Sequence, residues 1–203
     1  MLKKVIFLDR DGVINKDSPS YIRTWADIEF LPGSIAAIAR LTAAGYAIII
    51  VSNQSVIGRK MTSPEELDVI FNNMRAEIEA GGGNILDIFF CPHHPDDGCE
   101  CRKPAPGMVR QATIKHDIDL SSAGFIGDSA KDIICAKRAG CAFCILVESG
   151  CRSDEEKETL LRIGIAPDHV AADLAAATQW IIKAGCAPDH GKSALQPRQP
   201  ARS

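Results

Sequence analysis

Asp9 and Asp11 stand one residue apart in "FLDRDG" (residues 7–12), directly after an apolar run. Two carboxylates at the end of a buried strand repel each other and lose hydration, so the pair requires a cation. Alternation along an extended segment puts both on one side, with Arg10 turned away. Oxygen ligands of this kind suit magnesium, and magnesium held by carboxylates usually takes a phosphate oxygen too. Asp9 is then a candidate nucleophile that makes an aspartyl phosphate. Asp11 is a candidate acid and base for the leaving alkoxide and the attacking water. Ser52 offers a hydroxyl and Lys103 a fixed positive charge to phosphoryl oxygens. Asp128 and Asp132 in "GDSAKD" (127–132) add negative charge from a further loop. Asp132 also lies three residues after Ser129, where it can instead close a capping box. Taken singly, each residue has an ordinary reading as a turn, a strand-end hydroxyl or a loop lysine.

A second constellation is "CPHHPDDGCECRKP" (91–104), where Cys91, His93, Cys99 and Cys101 form C-x-H-x5-C-x-C. Three thiolates and an imidazole make the closed tetrahedral set of a structural zinc site, with no open position for catalysis. His94 is an alternative to His93. Pro92, Pro95 and Gly98 mark the segment as a loop whose order the metal supplies. Cys135, Cys141, Cys144, Cys151 and Cys186 receive no function; the C-x-x-C of Cys141 and Cys144 reads as part of a buried strand.

These residues need elements to hold them. Near-continuous apolar runs at 4–9, 46–53, 86–91, 123–128 and 142–148 read as strands buried on both faces. Helical patterns at 32–45, 63–80, 129–140 and 153–164 alternate with them. Ser63, Pro64 and Glu66 form a capping-box start, as do Ser153 and Glu156. The alternation predicts an α/β fold, a doubly wound parallel sheet with helices on both faces. In such sheets ligands bind beyond the carboxyl ends of the strands, where Asp9, Asp11, Ser52, Asn53 and Asp128 converge. One domain is expected over 1–186, with the zinc loop at 91–104; the polar, proline-rich 187–203 reads as a disordered tail.

The chain has 203 residues, a net charge of -3 and 46% hydrophobic residues. No basic block recommends nucleic acid, and no apolar stretch suits a membrane span. The apolar start is too short for a signal peptide, so a cytoplasmic location with reduced or metal-bound cysteines is expected.

In order, "DRDG", "SN" (52–53), the lysine of "RKP" (102–104) and "GDSAKD" match the motif set of the haloacid dehalogenase superfamily, over roughly residues 4–150. The resemblance implies a Rossmann-like fold and magnesium-dependent phosphoryl transfer. Asp9 would be the nucleophile and Asp11 the acid/base, with Ser52 and Lys103 stabilising the phosphoryl group and Asp128 holding the metal. "FLDRDGVIN", "SNQS" and the zinc loop further resemble the D-glycero-D-manno-heptose 1,7-bisphosphate 7-phosphatase family, whose members are small, capless and usually monomeric. By that resemblance Arg102 helps recognise a small phosphorylated sugar. Asp17, Ser18, Pro19, Ser20, Asn53, Gln54 and Ser55 line the pocket, and Ser129 stands where a substrate-contacting lysine is frequent. The five residues between His93 and Cys99 instead match the loop of related histidinol-phosphate phosphatases. Two substrates therefore stay open, as does a catalytically silent zinc-binding module on the same fold.

Overall fold

The computed structural model describes residues 1–184; Cys186 and the expected tail at 187–203 lie outside the described residues. Six parallel strands form one sheet in the order β3-β2-β1-β4-β5-β6. They are β1 (Val5–Leu8), β2 (Ala47–Asn53), β3 (Ile85–Cys91), β4 (Gly124–Gly127), β5 (Phe143–Val147) and β6 (His169–Ala171). Every residue of β1, β4 and β5 is buried, as expected where helices cover both faces.

Alternation within the strands sorts the core into two layers. Ile6, Leu8, Ile48, Ile50, Ile126 and Ile145 face α1 (Ser34–Ala43), α2 (Pro64–Ala80) and α6 (Leu174–Lys183). Val5, Phe7, Ile49, Val51, Phe125 and Leu146 face α3 (Gly107–His116), α4 (Ala130–Ala139) and α5 (Ser153–Arg162). Each such side chain contributes about 1.5–3 kcal/mol by leaving water. A one-residue slip of register would exchange the two layers, so the pattern also fixes the pairing.

The expected strands and helices all form, with differences at their edges. β3 is an edge strand whose residues 86–90 are only partly covered, so its apolar run did not signify burial on both faces. Ser63 caps α2, its hydroxyl accepting the Glu66 N–H at 3.2 Å. At α5 the N-cap is Arg152 and Ser153 is already helical. Glu156 does not close a box there; its carboxylate reaches α4 and accepts the Ala130 N–H at 2.7 Å. α3, β6 and α6 were not anticipated.

The order in which the strands are connected reverses between β1 and β4, which opens a crevice at their carboxyl ends. The connections at 9–33 and 92–106 that overhang it contain no α-helix or strand, only the 3-10 turns Trp25–Asp27 and Pro95–Asp97 and isolated bridges at Asn15. Neither connection inserts a further folded unit. No helix among the described residues is long and apolar enough to cross a membrane.

Candidate active site

β1 ends at Leu8, but the next residue stays tied to the sheet, the Asp9 N–H donating to the Ile126 carbonyl at 3.0 Å. Oδ1 of Asp9 accepts the Arg10 N–H at 2.7 Å and pairs with Lys103 Nζ at 2.8 Å. Its Oδ2 accepts no hydrogen bond among the described residues. One carboxylate oxygen is therefore anchored and the other is available.

Lys103 is 2% exposed. Its ammonium donates to the Val51 carbonyl at 2.8 Å and pairs with Asp132 at 2.6 Å as well as with Asp9. Asn53, the last residue of β2, holds the Lys103 backbone from both sides. Its Nδ2 donates to the Lys103 carbonyl at 3.1 Å and its Oδ1 accepts the Lys103 N–H at 3.0 Å. Burial opposes the charge on Lys103, but the carboxylates of Asp132 and Asp9 outweigh it and push its pKa up.

Asp9, Asp128 and Asp132 each bring a carboxylate oxygen within 4.8 Å of the others. Burial pushes Asp128 up to about 9, and the neighbouring Asp132 and Asp9 charges add to it. Burial likewise raises Asp9 to about 7, against the opposing pull of Lys103. Three carboxylates share one ammonium, so negative charge is left over in a place that resists it. An all-oxygen donor set of this charge fits a hard divalent cation.

Asp132 fills both of the places the sequence allowed. Its Oδ2 accepts the Ser129 N–H at 3.1 Å and the Ser129 hydroxyl at 2.7 Å, capping α4, while Oδ1 meets Lys103. Asp11 departs from expectation, since its carboxylate is not one of the three clustered for a cation. Arg10 is not turned away but folds back onto it. The guanidinium, 1% exposed, donates to Asp11 Oδ1 from Nε at 3.0 Å and to both oxygens from Nη2 at 2.8 Å. Asn15 Nδ2 donates to the same carboxylate at 2.9 Å and Gln54 Nε2 at 3.2 Å. Gln54 Nε2 also reaches Ser52 Oγ at 2.8 Å, linking the ends of β1 and β2.

Above these groups opens a cleft of about 310 Å³ lined by Asp9, Asp11, Ser52, Lys103 and Asp128. Asp17, Ser18, Pro19, Asn53, Gln54, Ser55, Arg102 and Ser129 also line it. Ser20 does not; it is exposed, and its hydroxyl lies 3.0 Å from that of Ser18. Sequence reasoning missed Lys131, Arg152 and Glu156, which also line the cleft. The rule that ligands gather at strand carboxyl ends would have found Arg152, because it follows β5. Lys131 carries a positive charge two residues beyond Ser129, where the expected lysine is absent.

Beside the cleft, Cys91, His93, Cys99 and Cys101 converge. Cys101 Sγ lies 3.3 Å from Cys91 Sγ, 3.4 Å from Cys99 Sγ and 3.2 Å from His93 Nδ1. The edges of a tetrahedral thiolate site around zinc are about 3.8 Å, so the four atoms enclose a space of suitable size and softness. Without a cation, burial together with Cys91 and Cys99 pushes Cys101 up to about 12. His94 faces elsewhere and caps the turn Pro95–Asp97, its Nδ1 accepting the Asp96 N–H at 3.4 Å. His93 is thus the imidazole of the set. Cys135 and Cys144 are buried in the core, and Cys141 is half-buried ahead of β5.

The HAD-hydrolase-like family model matches residues 100–177. The D-glycero-beta-D-manno-heptose-1,7-bisphosphate 7-phosphatase of Bordetella bronchiseptica is 40% identical over 181 residues, 89% of this chain and 98% of that protein. The D-glycero-alpha-D-manno-heptose-1,7-bisphosphate 7-phosphatase of Photorhabdus laumondii is 39% identical over 165 residues, 78% of this chain and 90% of its own length. A crystal structure of the D,D-heptose 1,7-bisphosphate phosphatase from B. bronchiseptica, complexed with magnesium and phosphate, superposes with a TM-score of 0.81. It is 39% identical and covers 89% of this chain and 98% of that one. By descent and by fold, the chain belongs to the D-glycero-D-manno-heptose-1,7-bisphosphate 7-phosphatase family of HAD-like hydrolases.

Proposed function

We propose that the protein removes the 7-phosphate of D-glycero-D-manno-heptose 1,7-bisphosphate by way of a phosphoryl group carried on Asp9. The observation that carries this reading is the environment of Asp9, whose Oδ1 is anchored by Lys103 while Oδ2 is free. Oδ2 attacks phosphorus, the bond from phosphorus to the sugar oxygen breaks, and Asp11 gives that oxygen a proton. Water then attacks the phosphoryl group on Asp9, with the Asp11 carboxylate taking a proton as inorganic phosphate leaves. Lys103 and Ser52 meet the phosphoryl oxygens where negative charge develops. Arg10, Asn15 and Gln54 hold Asp11 in one orientation, so its proton transfers need little rearrangement.

Asp9, Asp128 and Asp132 are the side chains that would hold magnesium. When bound, the cation offsets the charge of carboxylates and phosphate and so permits attack by an anion on an anion. Cys91, His93, Cys99 and Cys101 would hold zinc, which orders the loop that delivers Arg102 and Lys103.

Arg102, Lys131 and Arg152 line the cleft and add positive charge to that of Lys103. A second phosphate on the substrate accounts for them, whereas histidinol phosphate has one phosphate and a cationic amine. The names of the relatives support the sugar bisphosphate as well. A short zinc loop is the feature shared with the histidinol-phosphate enzymes, and it bears on the loop rather than on the charge of the cleft. Borohydride reduction of enzyme quenched during turnover is expected to convert Asp9 to homoserine. Turnover without such labelling would refute the covalent route.

A further inference from the structure

Asp128 carries the least anchored carboxylate of the cation site. It receives no hydrogen bond and forms no ion pair among the described residues, and the neighbouring charges act on it without contact. Two glycines confine it instead. A Cβ added at Gly150 would overlap Oδ2 of Asp128 and lie 2.8 Å from both its Cγ and its Cβ. A Cβ added at Gly12 would overlap the same oxygen and lie 2.6 Å from Cγ. The two walls are joined, because the Ser149 hydroxyl donates to the Gly12 carbonyl at 2.6 Å.

We propose that Ser149 and Gly150, in the connection after β5, form a clamp that positions Asp128 for cation binding. The inference rests on the reading of Asp128 as a magnesium ligand. A carboxylate without hydrogen-bond partners is free to turn unless walls stop it, and ligand orientation governs metal affinity. Gly12 lies in the left-handed region with φ of 77°, so a side chain there would strain the backbone as well. Gly150 is not among the residues of positive φ. An alanine there carries no positive-φ penalty and acts through its methyl group, which must displace Asp128. That makes Gly150 a positioning residue whose contribution can be isolated.

The test is Mn²⁺ binding, followed by electron paramagnetic resonance, for the wild type, Gly150→Ala, Ser149→Ala and Asp128→Asn. Melting of the metal-free proteins and magnesium titrations of turnover accompany it. Gly150→Ala should weaken Mn²⁺ binding about 10–100-fold, approaching Asp128→Asn, and Ser149→Ala about threefold. Metal-free melting should stay near wild type, and saturating magnesium should restore most of kcat. Mn²⁺ affinity of Gly150→Ala within twofold of wild type overturns the clamp. If Gly150→Ala does not fold, Ser149→Ala decides, and an unchanged affinity there overturns it equally. Asp128→Asn binding Mn²⁺ as tightly as wild type would instead sink the ligand assignment itself, and the clamp with it.

Discussion

Nζ of Lys103 lies 2.8 Å from Oδ1 of Asp9, with the lysine 2% and the aspartate 13% exposed in their side chains. The same ammonium holds Asp132 at 2.6 Å. One cation thus fixes the proposed nucleophile and the cap of α4 together.

Removing the ammonium leaves the carboxylates of Asp9 and Asp132 without their counter-charge. Lys103→Met should cost about 3–5 kcal/mol of stability, the range for breaking one side of a buried pair. Denaturant unfolding of the metal-free protein measures it. Turnover should also fall below detection, since the same group meets the phosphoryl oxygens.

Asp9→Asn acts in the opposite sense on stability. Burial has already raised Asp9 to about 7, so a neutral amide relieves part of the repulsion with Asp132 and Asp11. The variant should melt at or above the wild-type temperature without metal, yet lose at least about 10³-fold in kcat. A variant that is both unfolded and inactive would leave stability as the cause of the loss and contradict this account.

The raised pKa values of Asp9 and Asp128, about 7 and about 9, set a pH dependence. Between the ordinary carboxylate range and those values the folded metal-free protein binds more protons than the unfolded chain. Its stability must therefore fall as pH rises toward 9. Magnesium should flatten the decline, because it favours the ionised carboxylates. Melting curves from pH 5 to about 9, with and without magnesium, check both the slope and its removal.

The wild type is expected to hold about one zinc per chain and Cys101→Ser only a small fraction of that, since one of four ligands is lost. Because Arg102 and Lys103 follow directly, KM should rise and kcat should fall together. Elemental analysis and steady-state kinetics on the same preparation link the two effects.

The sheet was legible because β1, β2, β4 and β5 are buried on both faces and so read as unbroken apolar runs. β6 has only three residues, too few to show a pattern. It is set by tertiary contacts such as the Asp168 N–H donating to the Cys144 carbonyl at 2.9 Å. α3 hid because its buried residues, Met108, Val109 and Ala112, sit in an otherwise polar stretch. α6 carries a legible start signal, the N-cap Asp173, whose carboxylate accepts the Ala176 N–H at 2.8 Å. In the site, spacing revealed Asp9, Ser52, Lys103 and Asp128, all at strand ends or in a motif. Spacing alone does not report that Arg10 turns back onto Asp11, since a long side chain can fold to either side of its backbone. Nor does it reveal Lys131, whose place in the cleft depends on how α4 packs against the sheet.

The most direct measurement compares kcat/KM for both anomers of D-glycero-D-manno-heptose 1,7-bisphosphate with that for histidinol phosphate, in magnesium, for the wild type and Arg102→Ala. The account predicts a preference for the bisphosphate of at least about 100-fold, near 2.7 kcal/mol, shrinking about tenfold or more in the variant. Equal rates, or a preference for histidinol phosphate that Arg102→Ala leaves unchanged, would contradict it.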